Sequence, residues 1–134
     1  TCRFLESIAP AYLHIFPYSV RPGTPAAEFP DRVPAEVAAE RVARLGELSN
    51  ELHAAFCTAH AGEVRPVLFE STVRAGRMTG FTDNYIRVSV PYRREAVNRI
   101  LPVELGSLVD TGATTASGYA GGEACVAGRI LAAL

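Results

Sequence analysis

The sequence predicts an α+β protein in which a long helix precedes a small five-stranded antiparallel β-barrel. Residues 35–61 contain no proline and a single glycine, Gly46, and their apolar residues recur at helical spacing. From Glu63 onward the pattern changes to short apolar runs separated by turn residues. Five such runs favour a barrel, because a closed sheet leaves no open strand edges.

The composition fits one domain, or one small domain with attached pieces. The 134 residues are 49% hydrophobic and carry a formal net charge of −1, so no global charge attracts nucleic acid or lipid. No apolar run is long enough to cross a membrane, and no secretory signal is present. The cysteines and histidines lack C-x-x-C and zinc spacing, which favours a reduced, cytoplasmic protein without a metal site. They are Cys2, Cys57, Cys125, His14, His53 and His60.

Residues 1–33 are expected to be the end of an α/β barrel. Residues 2–8 predict a last helical turn or two, and Tyr12 to Phe16 predict a buried strand after Pro10. Because Met78 is the only methionine and the chain opens inside a helix pattern, we expect a fragment of a longer protein. A strand without its sheet would pack on the long helix or self-associate through its open edge.

A proline- and glycine-rich loop, residues 17–25, follows the predicted strand. In α/β barrels and open sheets, ligands bind at the carboxyl ends of the strands. Ser19, Arg21 and Thr24 are therefore candidates for a barrel-end site. A plain surface linker is the alternative for this loop.

Residues 34–62 predict the linker helix, which begins at Pro34 and ends at Gly62. At about 1.5 Å per residue it is roughly 40 Å long, more than a small barrel covers. We therefore expect it to bridge two bodies. Residues 63–134 then form the barrel, with an irregular loop over 110–122. Its strands are predicted at residues 64–70, 76–81, 85–91, 100–109 and 125–131.

The third strand suggests a binding surface. After a tight turn at Asp83-Asn84, alternation places Tyr85, Arg87 and Ser89 on the open face and the aliphatic residues between them in the core. Aromatic rings stack on unpaired bases, and arginine contacts phosphate or stacks on bases. Residues 63–99 hold seven arginines against four acids, which fits a modest phosphate-facing patch or an ordinary solvated face. The RNA-binding candidates are Arg77, Phe81, Thr82, Asn84, Tyr85, Arg87, Tyr92, Arg93 and Arg94.

Each candidate has a structural alternative. Phe81 is as compatible with a core position as with a stacking platform, and Asn84 is typical of turns. Arg93 and Arg94 suit a solvated loop. The barrel as a whole is open to a second interpretation, a protein-interaction or scaffold domain that makes no RNA contact.

Two motifs together resemble a known family. The segment F-x-Y-S-x-R-P-G-T at residues 16–24 and the segment M-T-G-F-T-D-N-Y at residues 78–85 flank the long helix. This arrangement resembles the C-terminal part of the radical-SAM tRNA methylthiotransferases. Within that family it is most similar to the branch that converts threonylcarbamoyladenosine beside the anticodon to its 2-methylthio form.

The resemblance implies a division of labour. Residues 1–33 would end the radical-SAM barrel, and residues 63–134 would form a TRAM domain, an OB-like RNA-binding barrel that holds the tRNA anticodon stem-loop. The parent enzyme would carry [4Fe-4S] clusters and use S-adenosylmethionine. The chain contains no C-x-x-x-C-x-x-C, so it is expected to hold no cofactor and to be inactive alone.

Overall fold

The computed structural model describes residues 1–109 and 124–131. The predicted loop over 110–122 lies outside these residues. The helices are α1 (Cys2–Ile8) and α2 (Ala35–Ala59), and short 3₁₀ helices span Pro25–Glu28 and Arg94–Ala96. The strands are β1 (Val64–Arg74), β2 (Arg77–Thr82), β3 (Arg87–Pro91), β4 (Ile100–Val109) and β5 (Cys125–Ile130).

The number and order of the predicted elements in the α+β class are confirmed, apart from one predicted strand near the N-terminus. Helix α2 begins at Ala35, where the carbonyl of Pro34 accepts the N–H of Ala38 at 3.0 Å. Its end is followed by Gly62 with φ of +85°, a left-handed conformation that glycine adopts without strain. The described residues form two compact units, 1–52 and 53–109 with 124–131.

The five strands form one mixed sheet in the order β1-β2-β3-β5-β4, and β4 also pairs with β1 so that the sheet closes. The prediction of a purely antiparallel barrel is wrong, because β3 and β5 run parallel. Strand directions cannot alternate all the way around a closed ring with an odd number of members. A closed five-stranded sheet must therefore contain at least one parallel pair.

The inner face of the sheet holds the core of the second unit. Its largest fully buried side chains include Phe69 and Met78, and Ile86 and Val88 are buried as their alternation predicts. Cys57 of α2 is buried in the same cluster. Gly128 is required at the centre, since a Cβ there would lie 2.8 Å from Cγ1 of Val103.

The predicted buried strand over residues 12–16 is absent from the first unit. No partner strand is available to these residues in the described chain. The backbone N–H of Leu13 instead donates to the hydroxyl of Ser49 on α2 at 2.9 Å. Leu13 and Ile15 are half-buried, whereas Phe16 is 75% exposed. The segment therefore packs on the long helix, one of the two outcomes expected for it.

Candidate nucleic-acid interface

Residues 83–86 lie between β2 and β3, and the first three of them, Asp83–Asn84–Tyr85, form a turn that the Thr82–Ile86 pair closes. The N–H of Thr82 donates to the carbonyl of Ile86 at 3.0 Å, and the N–H of Tyr85 donates to the carbonyl of Thr82 at 3.1 Å. The buried hydroxyl of Thr82 accepts the N–H of Ile86 at 2.8 Å. It donates its own proton to Oδ1 of Asn84 at 2.6 Å. Thr82 and Asn84 are thus occupied in building the loop.

Tyr85 lies outside the strand, in this loop, with φ of +65°. The last position of a three-residue hairpin loop is left-handed and normally holds glycine. A bulky residue there is strained, by about 1–2 kcal/mol. The Tyr85 side chain is nevertheless 71% exposed, so little core packing offsets the strain. The strain and the exposure together make Tyr85 a candidate binding residue.

Phe81 and Arg87 lie directly opposite each other on β2 and β3. Cζ of Arg87 is 6.0 Å from the centroid of the Phe81 ring, at the edge of cation–π range. Nε of Arg87 is buried and has no hydrogen-bond acceptor among the described residues. Phe81 is 39% exposed and points away from the core. The pair presents a ring and a stacked guanidinium beside the Tyr85 loop.

Arg65 anchors the loop from β1. Its Nη1 donates to Oδ1 of Asp83 at 2.9 Å, and its Nε donates to Oε2 of Glu63 at 2.8 Å. The hydrogen bonds to Asp83 and then Glu63 raise the pKa of Arg65. The carboxylates of Asp83 and Glu63 therefore neutralise the charge of Arg65 locally.

The other candidates lie at the opposite end of the hairpin. Arg77 covers Ser89, with Nε 2.7 Å from the Ser89 hydroxyl and Nη2 2.9 Å from its carbonyl oxygen. The N–H of Tyr92 donates to the carbonyl of Gly76 at 2.9 Å. Arg93 and Arg94 are exposed. About 13 Å, four residues of strand, separate Arg77 from Phe81 along β2.

The structure therefore corrects the predicted open face. Of the three residues assigned to it, only Arg87 lies in β3 and faces outward with partial exposure. Ser89 is 5% exposed because Arg77 covers it, and Tyr85 belongs to the loop. The remaining candidates divide into a loop end with Phe81, Tyr85 and Arg87 and a distant basic end.

Sequence reasoning missed two outward residues beside Phe81. Leu68 on β1 pairs in register with Phe81, and Ile100 on β4 pairs in register with Leu68. Leu68 is 51% exposed and Ile100 is 67% exposed. Strand alternation gives their outward direction, but only the sheet register brings them next to Phe81.

The barrel-end candidates form no shared site. The hydroxyl of Thr24 donates to the carbonyl of Arg21 at 2.8 Å, a local turn contact. Ser19 and Arg21 are exposed. The first unit does contain an apolar groove of about 820 Å³ between residues 13–18 and α2, but none of the three candidates lines it.

The described residues bring together no set of ligands that would fit an iron–sulfur cluster. Burial, followed by the nearby Cys125, raises the pKa of Cys57 to about 11, and burial also raises the pKa of Cys125. Cluster ligands are thiolates, and burial disfavours the thiolate form of both side chains. Sγ of Cys57 is hydrogen-bonded to Nε2 of His53 at 3.6 Å. The described residues contain no group of three or more potential metal ligands.

In the described part of the chain, no helix is both long and apolar enough to cross a membrane. A scan against models of protein families gives no match.

Curated proteins do match the chain. The threonylcarbamoyladenosine tRNA methylthiotransferase MtaB of Bacillus subtilis is 34% identical over 109 residues, which is 78% of this chain and 24% of the relative. The tRNA-2-methylthio-N(6)-dimethylallyladenosine synthase of Syntrophobacter fumaroxidans is 36% identical over 107 residues, again 78% of this chain and 24% of the relative. The synthase of Ehrlichia canis is 42% identical over 71 residues, 53% of this chain and 16% of the relative.

These matches confirm the resemblance carried by the two motifs. The chain spans about a quarter or less of the length of these curated relatives. By sequence the chain is therefore a homologue of the tRNA methylthiotransferases.

Proposed function

We propose that this chain is the RNA-positioning part of a cytoplasmic tRNA methylthiotransferase, and that its closed sheet is an OB-like barrel of the TRAM type. The relatives named for this activity support the enzyme class. The observation that carries RNA contact is the exposed Tyr85 ring, held in a left-handed conformation beside the Phe81–Arg87 pair. Strain of this kind persists where surrounding structure enforces it, commonly at binding sites.

The charges of the barrel support the same function. Ion pairs among the described residues use only Arg65 and Arg129. The other barrel arginines are not neutralised by a described carboxylate, so their positive charge can attract phosphate. They are Arg74, Arg77, Arg87, Arg93, Arg94 and Arg99.

In the proposed mechanism the loop end binds unpaired bases of the RNA, and the distant basic end orients the RNA backbone. Tyr85 and Phe81 stack on unpaired bases, and Arg87 stacks or contacts phosphate. Arg93 and Arg94, which follow β3 at the opposite end of the hairpin, contact backbone phosphates and so fix the register of the RNA. We place the anticodon stem-loop on this surface, with the adenosine beside the anticodon offered to the catalytic part of a longer enzyme. The radical chemistry and its cofactors belong to that part.

The test is a filter-binding titration of tRNA with the 134-residue chain and with a Tyr85→Ala/Arg87→Ala variant. We expect the variant to lose about tenfold or more in affinity, because one stacked base contributes about 1–3 kcal/mol. In a longer enzyme containing this sequence, the same variant should assemble its clusters normally. Unchanged tRNA affinity would rule out this site.

The alternative is a protein-interaction barrel, which its exposed apolar residues would also suit. A salt titration separates the two, because phosphate binding weakens steeply as salt is added. Binding to a protein through apolar contacts does not.

A further inference from the structure

An unbroken row of outward side chains crosses the barrel. Ile100 on β4 is in register with Leu68 on β1, Leu68 with Phe81 on β2, and Phe81 with Arg87 on β3. In-register residues on neighbouring strands lie side by side on one face of a sheet. We name Ile100, Leu68 and Phe81 the apolar row. All three are large, and their exposures are 67%, 51% and 39%.

The apolar row extends over three neighbouring strands of the closed sheet. Neighbouring strands are about 4.8 Å apart, so the three members span about 10 Å across the sheet. Pro66 and Pro102 are in-register partners two residues further along β1 and β4, and both are exposed on the same face. Rigid rings and branched aliphatic side chains lose little conformational freedom when a flat ligand settles on them.

Polar groups border the apolar row on its other side. The hydroxyl of Thr79 donates to Oε2 of Glu70 at 3.2 Å, and Arg77 covers Ser89. These groups are already engaged with one another. On this side, the apolar row therefore ends at polar residues. Contiguous exposed apolar patches of this kind mark interaction sites on soluble proteins.

The positive charge of Arg87, at the end of the apolar row, favours one kind of ligand for this surface. Arg87 places its guanidinium over the Phe81 ring, and the exposed ring of Tyr85 lies in the loop that joins Phe81's strand to Arg87's strand. A purely apolar partner would leave the Arg87 charge facing an apolar surface. A nucleobase stacks on rings, aliphatic groups and guanidinium alike, and its phosphate complements the cation.

We infer that Leu68 and Ile100 join Phe81 as a stacking platform for unpaired bases of an RNA loop, with Arg87 and Tyr85 at its edge. This inference rests on the proposed function and names the part of the RNA that the barrel reads. Paired bases are already stacked inside their helix and expose only their edges to the platform. The platform therefore discriminates loops from duplexes, without base-edge hydrogen bonds from the apolar row.

The experiment compares two probes with the 134-residue chain, by fluorescence anisotropy. The first probe is a fluorescein-labelled RNA stem-loop, and the second is a blunt-ended duplex of the same stem sequence. The variants are Leu68→Ala/Ile100→Ala and Phe81→Leu, which keeps an apolar side chain but removes the ring. Leu108→Ala is the matched control, because Leu108 is also an exposed leucine, at 41%, and lies eight residues beyond Ile100 on β4.

We expect the wild type to bind the stem-loop about tenfold more tightly than the duplex, as one stacked base would give. The double variant and Phe81→Leu should each lose about fivefold or more for the stem-loop and leave duplex affinity within about twofold. Because the apolar row carries no charge, the salt dependence should keep its slope. Leu108→Ala should match the wild type, and circular dichroism should show all variants folded.

The possible failures are distinct. If the wild type binds neither probe, the proposed function and the inference both fail. If the wild type binds RNA with steep salt dependence but the double variant binds the stem-loop as well as the wild type does, the inference fails and the proposed function stands. Equal affinity of the wild type for stem-loop and duplex also overturns the inference. The inference also fails if Leu68→Ala/Ile100→Ala loses self-association or protein binding but keeps its RNA affinity. If a variant unfolds, the other variant and the probe preference decide.

Discussion

The hydroxyl of Thr82 and the backbone N–H of Ile86 are joined by a hydrogen bond of 2.8 Å that closes the loop presenting Tyr85. Thr82 is only 5% exposed, so water cannot replace this acceptor. The loop therefore owes its shape to one buried side chain at the end of β2. A residue that looks like a contact candidate in the sequence has a structural role.

Replacing that hydroxyl should destabilise the barrel. Thr82→Val keeps the shape of the side chain but leaves the Ile86 N–H without its side-chain acceptor, which costs about 1–3 kcal/mol. Thr82→Ser retains the hydroxyl and should stay within about 1 kcal/mol of the wild type. Urea unfolding followed by circular dichroism measures both. Equal midpoints for the Val and Ser variants would show that this hydrogen bond does not hold the loop.

Tyr85 should trade stability for binding. Tyr85→Gly removes the left-handed strain and should raise the free energy of unfolding by up to about 1 kcal/mol, since glycine's freedom in the unfolded chain offsets part of the relief. The same change should weaken tRNA binding about tenfold, because the stacking ring is gone. Tyr85→Asn, which also tolerates this conformation, is the control for strain relief. A clear loss of stability in the glycine variant would mean that the ring serves the fold.

Gly128 should tolerate no side chain. A Cβ at this position would lie 2.8 Å from Cγ1 of Val103, 3.0 Å from Cγ1 of Val90, and closer still to Cγ1 of Val88. Gly128→Ala should therefore cost about 1–3 kcal/mol through overpacking. The double variant Gly128→Ala/Val88→Ala makes room and should cost less than the sum of its single changes. A double-mutant cycle on the free energy of unfolding measures the coupling, and strict additivity would contradict the packing seen here.

Alkaline pH should weaken the fold through Cys57. Burial raises the pKa of this thiol from 9.0 to about 11. Above pH 9 the unfolded thiol therefore ionises while the folded thiol stays protonated, and stability falls until the pH passes 11. The loss is on the order of 2 kcal/mol.

Unfolding in urea at pH 8 and at pH 10.5 tests this for the wild type and Cys57→Ala. The alanine variant should be less stable at both values because of its cavity, but its decline with pH should be smaller than that of the wild type. Cys2→Ala is the matched control and should follow the wild type. Parallel declines in all three proteins would exclude Cys57 as the source.

The local sequence pattern predicted the fold correctly where the stabilising interactions join residues that are close in sequence. The run of residues 35–61 without proline predicted α2, and alternation from Ile86 to Val90 placed the core-facing residues of β3 correctly. Helical hydrogen bonds join residues four apart, and strand alternation needs only backbone geometry. The family resemblance likewise rested on two contiguous motifs.

Long-range pairing produced what the pattern missed. The predicted strand at residues 12–16 has no partner strand among the described residues, and the N–H of Leu13 donates instead to Ser49, far along the chain. Ser89 looked open until Arg77, from another strand, covered it. The burial of Ser89 was decided by the side chains around it and not by its own residue type.

The sequence by itself determined the long helix and the five strands that follow it, the apolar side of those strands and the relationship to tRNA methylthiotransferases. Only the tertiary structure decided the parallel β3–β5 pair, the strained position of Tyr85 and the alignment of Leu68 and Ile100 with Phe81. The reason is that alternation fixes the face of each residue, whereas ring closure and register fix its neighbours. The proposed binding surface is assembled from four strands and is therefore a property of register, which no single segment of the chain contains.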